Sequence, residues 1–345
     1  MQSHREKPLV SIIIPTRNRP NHVLRAVRSA LAQTYTNIEV VVAVDGPDTE
    51  TISVLRALGL DESVLHIVTI PCNVGGADAR NIGIKASHGE WIALLDDDDE
   101  WISSKLERQI ALGVNSTHDL PVISCKVIAR TPARDYTWPS KEPFLPIADF
   151  LFRRRSVFWG EGVLQTSTLV ARREIFIHCP FTSGLRKHQD WDWIIRACNV
   201  PGVQIEFLGE PLSIWHIEEN RQSVGWEGDW RYSLRWAETV RPGLTPEAYA
   251  SFLLTVVGAS ASNQKEPDAF WPVLLLAVKK GKPSVIHVAL FLGMWLFPKH
   301  ARRRLRSVLS RSGKDGRLEG LWRAALNAVR MPSRLRRKWR GKVPA

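Results

Sequence analysis

Four short apolar runs, each ending in a cluster of polar residues, constrain the fold of this chain more than any other feature. They occupy positions 9–14, 38–44, 64–70 and 91–95. The first three are rich in β-branched residues, and all four are continuous and too short for a buried helix, which predicts strands covered on both faces. Between them, 21–33, 51–58 and 78–87 place apolar residues at helical spacing, as Val23, Leu24, Val27, Ala30 and Leu31 do in the first. Strand and helix in alternation predict an α/β fold with a mostly parallel central sheet covered by helices. Ligands on such sheets sit at the carboxyl ends of the strands. The polar segments 16–19, 45–48, 73–76 and 96–99 all follow strand ends, so they gather on one edge.

The pattern loosens after that. Strands are expected at 122–128, 166–170, 206–208 and 212–215, and a helix at 189–198. Thr245-Pro246-Glu247 is a helix start, with a capping hydroxyl, Pro at the first position and an acid in the first turn. Only helices follow, which sets an expected boundary near 240: an α/β domain over 1–240 and a helical region over 241–345. With 345 residues and 44% hydrophobic content, disordered and collagen-like chains are excluded. The four cysteines have no CxxC spacing, so neither a zinc ribbon nor a redox pair is signalled. No signal-peptide pattern precedes the first strand, and a cytoplasmic setting with reduced thiols is expected.

Four segments carry candidate chemistry. Asp96–Asp99 directly follows a buried strand, where adjacent carboxylates repel one another and desolvation worsens the cost. A hard divalent cation would relieve it; a solvated acidic turn is the plainer alternative. The loop and helix start Asn73-Val-Gly-Gly-Ala-Asp-Ala-Arg80 lets backbone or ligand approach closely and puts Arg80 near the same edge, where it could pair with a phosphate or an aspartate. It matches neither the dinucleotide fingerprint nor the P-loop spacing. In His188-Gln-Asp-Trp-Asp-Trp193, Asp190 and Asp192 stand near a helix start, as caps or as a general base. His216 follows a strand end and is open to a structural or a ligand role.

Taken in order, SIIIPTRNRP, the strand ending in Asp45, NVGGADARNIGI, WIALLDDDDEWISSKLERQ, QTSTLVARREIF, HQDWDWIIRA and PLSIWHIEENRQS resemble the family 2 glycosyltransferases over about residues 8–225. The resemblance implies the GT-A fold and inverting transfer of a sugar from a nucleotide diphosphate donor, UDP- foremost, with bound Mn²⁺ or Mg²⁺. It places Pro15, Thr16, Arg17, Asn73 and Asp97 along the nucleotide-sugar pocket and sets Asp45 against the pyrimidine ring. Arg80 would support the acidic motif or the diphosphate. Asp96 would lie near the ribose, Asp98 would bind the metal, and His216 would add a further metal ligand. Asp190 aligns with the catalytic base, and Arg221 and Ser223 with a loop that closes over the diphosphate. Two departures stand out. Gln189 replaces the usual Glu before the base, and Gly-Pro-Asp follows Asp45, so Asp48 could share the nucleotide contact. A retained fold without catalysis, serving as a membrane-bound binding or scaffold protein, is the alternative.

The charge is uneven. Residues 299–345 hold 16 Lys or Arg against 2 acids, a net of +14, while the whole chain is +12, so 1–298 carry −2. Leu318, Leu321, Trp322, Leu326, Leu335 and Trp339 lie on a helical stripe among these basic residues. That composition describes a helix in an anionic membrane interface. It predicts a peripheral protein on the inner face of the cytoplasmic membrane, acting on a glycan or lipid-linked acceptor, with no nucleic-acid partner. The apolar stretch 284–297 is too short to span a bilayer.

Overall fold

The computed structural model describes residues 7–132, 134–156, 161–217 and 229–297. Within them, nine strands form one sheet. Strands β1 (Val10–Thr16), β2 (Ile38–Asp45), β3 (Leu65–Ile70) and β4 (Trp91–Leu94) pair in parallel, in the order β3-β2-β1-β4. The others are β5 (Glu100–Trp101), β6 (Leu120–Arg130), β7 (Asp135–Trp138), β8 (Val170–Arg172) and β9 (Val203–His216). Beyond β4 the order continues β8-β6-β9-β5, and β7 hairpins onto β6. Strand β8 is antiparallel to β4 and β6, whereas β9 runs parallel to β6.

The helices are α1 (Pro20–Leu31), α2 (Thr49–Arg56), α3 (Gly76–Ala86), α4 (Lys105–Val114), α5 (Ile147–Phe152), α6 (Arg173–His178), α7 (Gln189–Ala197) and α8 (Trp230–Val240). Four more follow: α9 (Pro246–Phe252), α10 (Gly258–Asn263), α11 (Phe270–Lys280) and α12 (Val285–Leu296). Because successive side chains in a strand face opposite ways, the apolar runs divide between two cores. Ile12, Ile14, Val40, Val42 and Val44 meet Val23, Val27, Leu106 and Ile110 beneath α1 and α4. Ile13, Val41, Ile92 and Leu94 join the other core, which extends through α5 and α7 into α8–α12. A continuous apolar strand is thereby satisfied on both sides.

Two expectations for the middle of the chain need correction. The strand expected at 166–170 is a 3₁₀ turn, Thr166–Thr168, followed by the short β8. Its hydroxyls are the reason: Thr168 Oγ1 donates to Gln165 O (2.7 Å), and Ser167 Oγ turns inward to Asp99. Local bonds of this kind compete with an extended ladder. The two short strands expected at 206–208 and 212–215 are one, β9. The register slips beside Lys126, where Leu208 still pairs with Cys125 but Pro211 pairs with Lys126, so 209–210 bulge. The helix α12 covers most of 284–297, and no helix among the described residues is long and apolar enough to cross a membrane. The basic stretch expected to contact a membrane, 299–345, lies outside the described residues, as do Arg221 and Ser223.

Candidate active site

The carboxyl ends of β1, β2 and β4 converge on the acidic run. Its four members are braced from several directions, and some of the braces are shared. Asp96 takes Arg80 Nη2 on Oδ1 (2.5 Å) and ties its backbone N–H to Ser167 Oγ (3.0 Å). Asp97 accepts from Thr16 Oγ1 (2.8 Å) and Arg19 Nη1 (3.0 Å). Asp98 Oδ2 accepts from the same Arg19 nitrogen (2.9 Å), and Arg25 Nη2 reaches its carbonyl (2.5 Å). Asp99 is fully buried and accepts from Gln165 and from Ser167 Oγ (2.6 Å). Burial pushes the Asp99 carboxyl well above its ordinary range, and the neighbouring Asp96 charge adds to this. Burial also raises Asp97, while the Arg19 guanidinium and the Thr16 hydroxyl oppose it. The run is therefore a cross-braced turn, with Asp99 as its buried anchor.

Two other expected nucleotide contacts also carry structural bonds. Asp45 is buried, and its oxygens accept the backbone N–H groups of Val74 (2.7 Å) and Gly75 (3.0 Å). It thus holds the Gly-rich loop against β2, with Gly75 at φ +87°, in the left-handed region that favours glycine. Asp48 caps α2 through Thr51 N–H (3.0 Å) and accepts Asn18 N–H (2.5 Å). Arg17 and Asn73 are exposed on the same edge, and Pro15 is half-buried there.

Helix α7 brings in the candidate base. Asp192 is consumed structurally: it accepts from Thr182 Oγ1 (2.6 Å), Arg196 Nε (2.8 Å) and Trp236 Nε1 (3.1 Å). Among the described residues, Asp190 accepts one hydrogen bond, from the Trp191 N–H (2.9 Å). Burial pushes its carboxyl up to about 6, the Asp96 charge adds to the rise, and Arg80 opposes it. A carboxylate poised near 6 is mostly ionised at neutral pH yet a stronger proton acceptor than an ordinary aspartate. Arg80 joins the two halves of the site, because its Nη1 also donates to Gln189 Oε1 (2.6 Å) and Gly76 O (3.1 Å). A Cβ on Gly76 would lie 3.2 Å from both Arg80 Nη1 and Gln189 Oε1, so glycine keeps this bridge open.

The residue before Gln189 is unusual. His188 sits at φ +67°, sparsely populated for a residue with a side chain. Rings of Trp191 (5.0 Å), Trp236 (4.7 Å) and Phe252 (5.5 Å) surround it, and Nε2 meets Ser233 Oγ (2.9 Å). Burial pushes its pKa down to about 3, with Lys187 adding to the fall, so it is neutral. Helices α8 and α9 thus form the seat of the segment that presents Asp190.

The expected second metal ligand is engaged elsewhere. His216 Nε2 meets Glu100 Oε1 (2.6 Å), and Glu100 also pairs with Arg25 (3.5 Å). Among the described residues no three His, Cys, Asp or Glu side chains gather into a cage for a metal. A Mg²⁺ or Mn²⁺ carried by a diphosphate needs no cage, since one or two carboxylates complete its shell with phosphate oxygens and water. The hard oxygens of Asp96 and Asp98 fit that kind of cation. Sequence patterns had not singled out Arg19, Ser167 or Gln165. Their partners lie 66 or more positions away, beyond the reach of any local spacing.

The sequence profile described as "Glycosyl transferase family 2" matches residues 11–179, a span that takes in all but the first residue of β1, then β2–β4 and the whole acidic run. Over this span the chain belongs to the family. It is 27% identical over 245 residues to the amylovoran biosynthesis glycosyltransferase AmsB of Erwinia amylovora, covering 68% of this chain and 78% of that one. Over 102 residues, 30% of this chain and 40% of the relative, it is 38% identical to the Escherichia coli UDP-Glc:alpha-D-GlcNAc-diphosphoundecaprenol beta-1,3-glucosyltransferase WfaP. In three dimensions it resembles S. aureus TarS 1–349, crystallised in complex with UDP-GlcNAc. The TM-score is 0.58 and the identity 16%, over 83% of this chain and 81% of that one. The architecture of this family 2 chain is the GT-A fold.

Proposed function

We propose that this chain is an inverting glycosyltransferase of surface polysaccharide synthesis. It moves a sugar from a nucleotide diphosphate, UDP- foremost, to a hydroxyl of a glycan or lipid-linked acceptor. The observation that carries the reading is the Asp96–Arg80–Gln189 bridge, which sets Asp190 beside the acidic run at the strand ends. Pro15, Thr16, Arg17, Asp45 and Asn73 line the nucleotide side, and Asp190 faces the acceptor hydroxyl. That hydroxyl is a poor nucleophile, so Asp190 takes its proton as the oxygen attacks the anomeric carbon opposite the leaving group. Arg80 keeps Asp190 and Asp96 in register, and Asp99 with Ser167 keeps the acidic turn rigid. Asp98, with Asp96, would hold a divalent cation, which supplies charge neutralisation of the departing diphosphate. The basic stretch 299–345 carries the protein to an anionic membrane surface, where a lipid-linked acceptor resides.

A thermal-shift panel of UDP-, GDP- and dTDP-sugars, with and without Mn²⁺, tests the donor side. The expected outcome is stabilisation that needs one nucleotide and the metal together and is lost in Asp98→Ala. Stabilisation that persists in Asp98→Ala would remove Asp98 as the metal ligand.

A further inference from the structure

One side chain at the strand ends has no role in the reading above. Arg19 lies between β1 and α1, where it precedes Pro20, and it is half-buried. A single nitrogen, Nη1, donates to Asp97 Oδ1 (3.0 Å) and to Asp98 Oδ2 (2.9 Å). Both carboxylates are nearly covered, with side chains 8% exposed, whereas that of Arg19 is 31% exposed. Two buried carboxylates are thus bridged by one solvent-reachable cation. The other guanidinium nitrogens of Arg19 make no hydrogen bond among the described residues, although a guanidinium carries five donors.

The charges on this edge explain the arrangement. Asp96 has Arg80, Asp99 has neutral donors, and Asp97 and Asp98 share the Arg19 guanidinium. A monovalent cation and a divalent one cannot both sit on Asp98 Oδ2 without strong repulsion. Arginine is also the side chain best matched to phosphate oxygens, through paired N–H groups.

We propose that Arg19 is a placeholder for the metal and a ligand for the donor's diphosphate. In the free protein it neutralises Asp97 and Asp98. When cation and donor enter together, Arg19 leaves Asp98 and turns its guanidinium to the diphosphate. The inference rests on the glycosyltransferase reading and adds a residue to it. It makes metal binding without nucleotide weak and metal binding with nucleotide strong, because the donor offers the displaced guanidinium a new partner.

The test is Mn²⁺ binding to the full chain, followed by electron paramagnetic resonance of the free ion, with and without UDP. Wild type is compared with Arg19→Gln, with Arg19→Lys, and with Arg28→Gln, which removes an equal charge from the exposed side of α1. The expected result is that Arg19→Gln binds Mn²⁺ about tenfold more tightly without UDP, the scale of one charge-assisted hydrogen bond. Arg28→Gln and Arg19→Lys should stay close to wild type. At saturating Mn²⁺, UDP affinity should fall about tenfold in Arg19→Gln. Mn²⁺ affinity equal in Arg19→Gln and Arg28→Gln overturns the placeholder role while leaving the glycosyltransferase reading intact. Unchanged UDP affinity overturns the diphosphate role. Failure of wild type to bind Mn²⁺ even with UDP overturns both this inference and the metal assigned to Asp98.

Discussion

Asp190 illustrates how a residue's chemistry is set by what its neighbours already hold. Sequence alone offered two aspartates near the start of one helix. The structure separates them, because Thr182, Arg196 and Trp236 occupy Asp192 and leave Asp190 with one backbone bond. Arg196 lies one helical turn on, a spacing that sequence does show, but Thr182 and Trp236 lie 10 and 44 positions away, beyond any local pattern. With the carboxyl of Asp190 raised from its ordinary 3.8 to about 6, the proposed base should make transfer rate fall below about pH 6 as it is protonated. Asp190→Asn should keep donor binding and lose about 10²–10⁴ in rate, measured at saturating donor. The same change should stabilise the fold. A raised acid is ionised more easily in the unfolded chain, so stability is lost as pH rises from about 4 to about 6, and the loss is complete above that. The gap corresponds to at most about 3 kcal/mol, which Asn would restore at neutral pH and urea unfolding would report. Gln189→Glu adds a negative charge at the residue directly before Asp190 and should move the acid midpoint of the pH–rate profile upward. A midpoint that stays put or moves down would show that Arg80 absorbs the added charge.

At the scale of elements, strands were legible and turns were not. The first four strands are short, apolar and bounded by polar residues, and sequence placed each within two residues of its ends. Their buried faces follow from alternation alone. The 3₁₀ turn at Thr166–Thr168 was misread because its residues have strand propensity, while Ser167 and Thr168 are bound to Asp99 and Ser124. The two-residue β5 was missed because pairing with β9 defines it, not composition. Close approach of elements was equally hidden. Gly113 of α4 lies over Trp91 of β4, and a Cβ there would come within 2.5 Å of the indole. Gly113→Ala should therefore destabilise the protein by about 1–3 kcal/mol, since the buried ring has no room to yield. An unchanged midpoint in urea unfolding would mean that α4 shifts as a body.

On the scale of the whole molecule, the family segment and the helices beyond it share one core. The second core runs from Ile13 and Val41 in the sheet to Phe252, Val273 and Phe291 in the helices. The change of pattern near 240 was visible in sequence, but the packing across it was not, because ring contacts such as His188 with Phe252 join positions far apart. The charge asymmetry gives the remaining prediction. A chain ending at 298 keeps the described helices and loses a net of +14, and should no longer co-sediment with anionic vesicles. Retained co-sedimentation would move the contact to the helical body. The ring that holds His188 also limits how such a chain can be recombined. Phe252, Trp236 and Ser233 come from beyond the matched segment, yet they fix the backbone two residues ahead of Asp190. A chimera that joins this donor half to a relative's C-terminal helices must carry positions 188–252 across as one inherited block. A splice inside it would separate Asp190 from the wall its segment leans on.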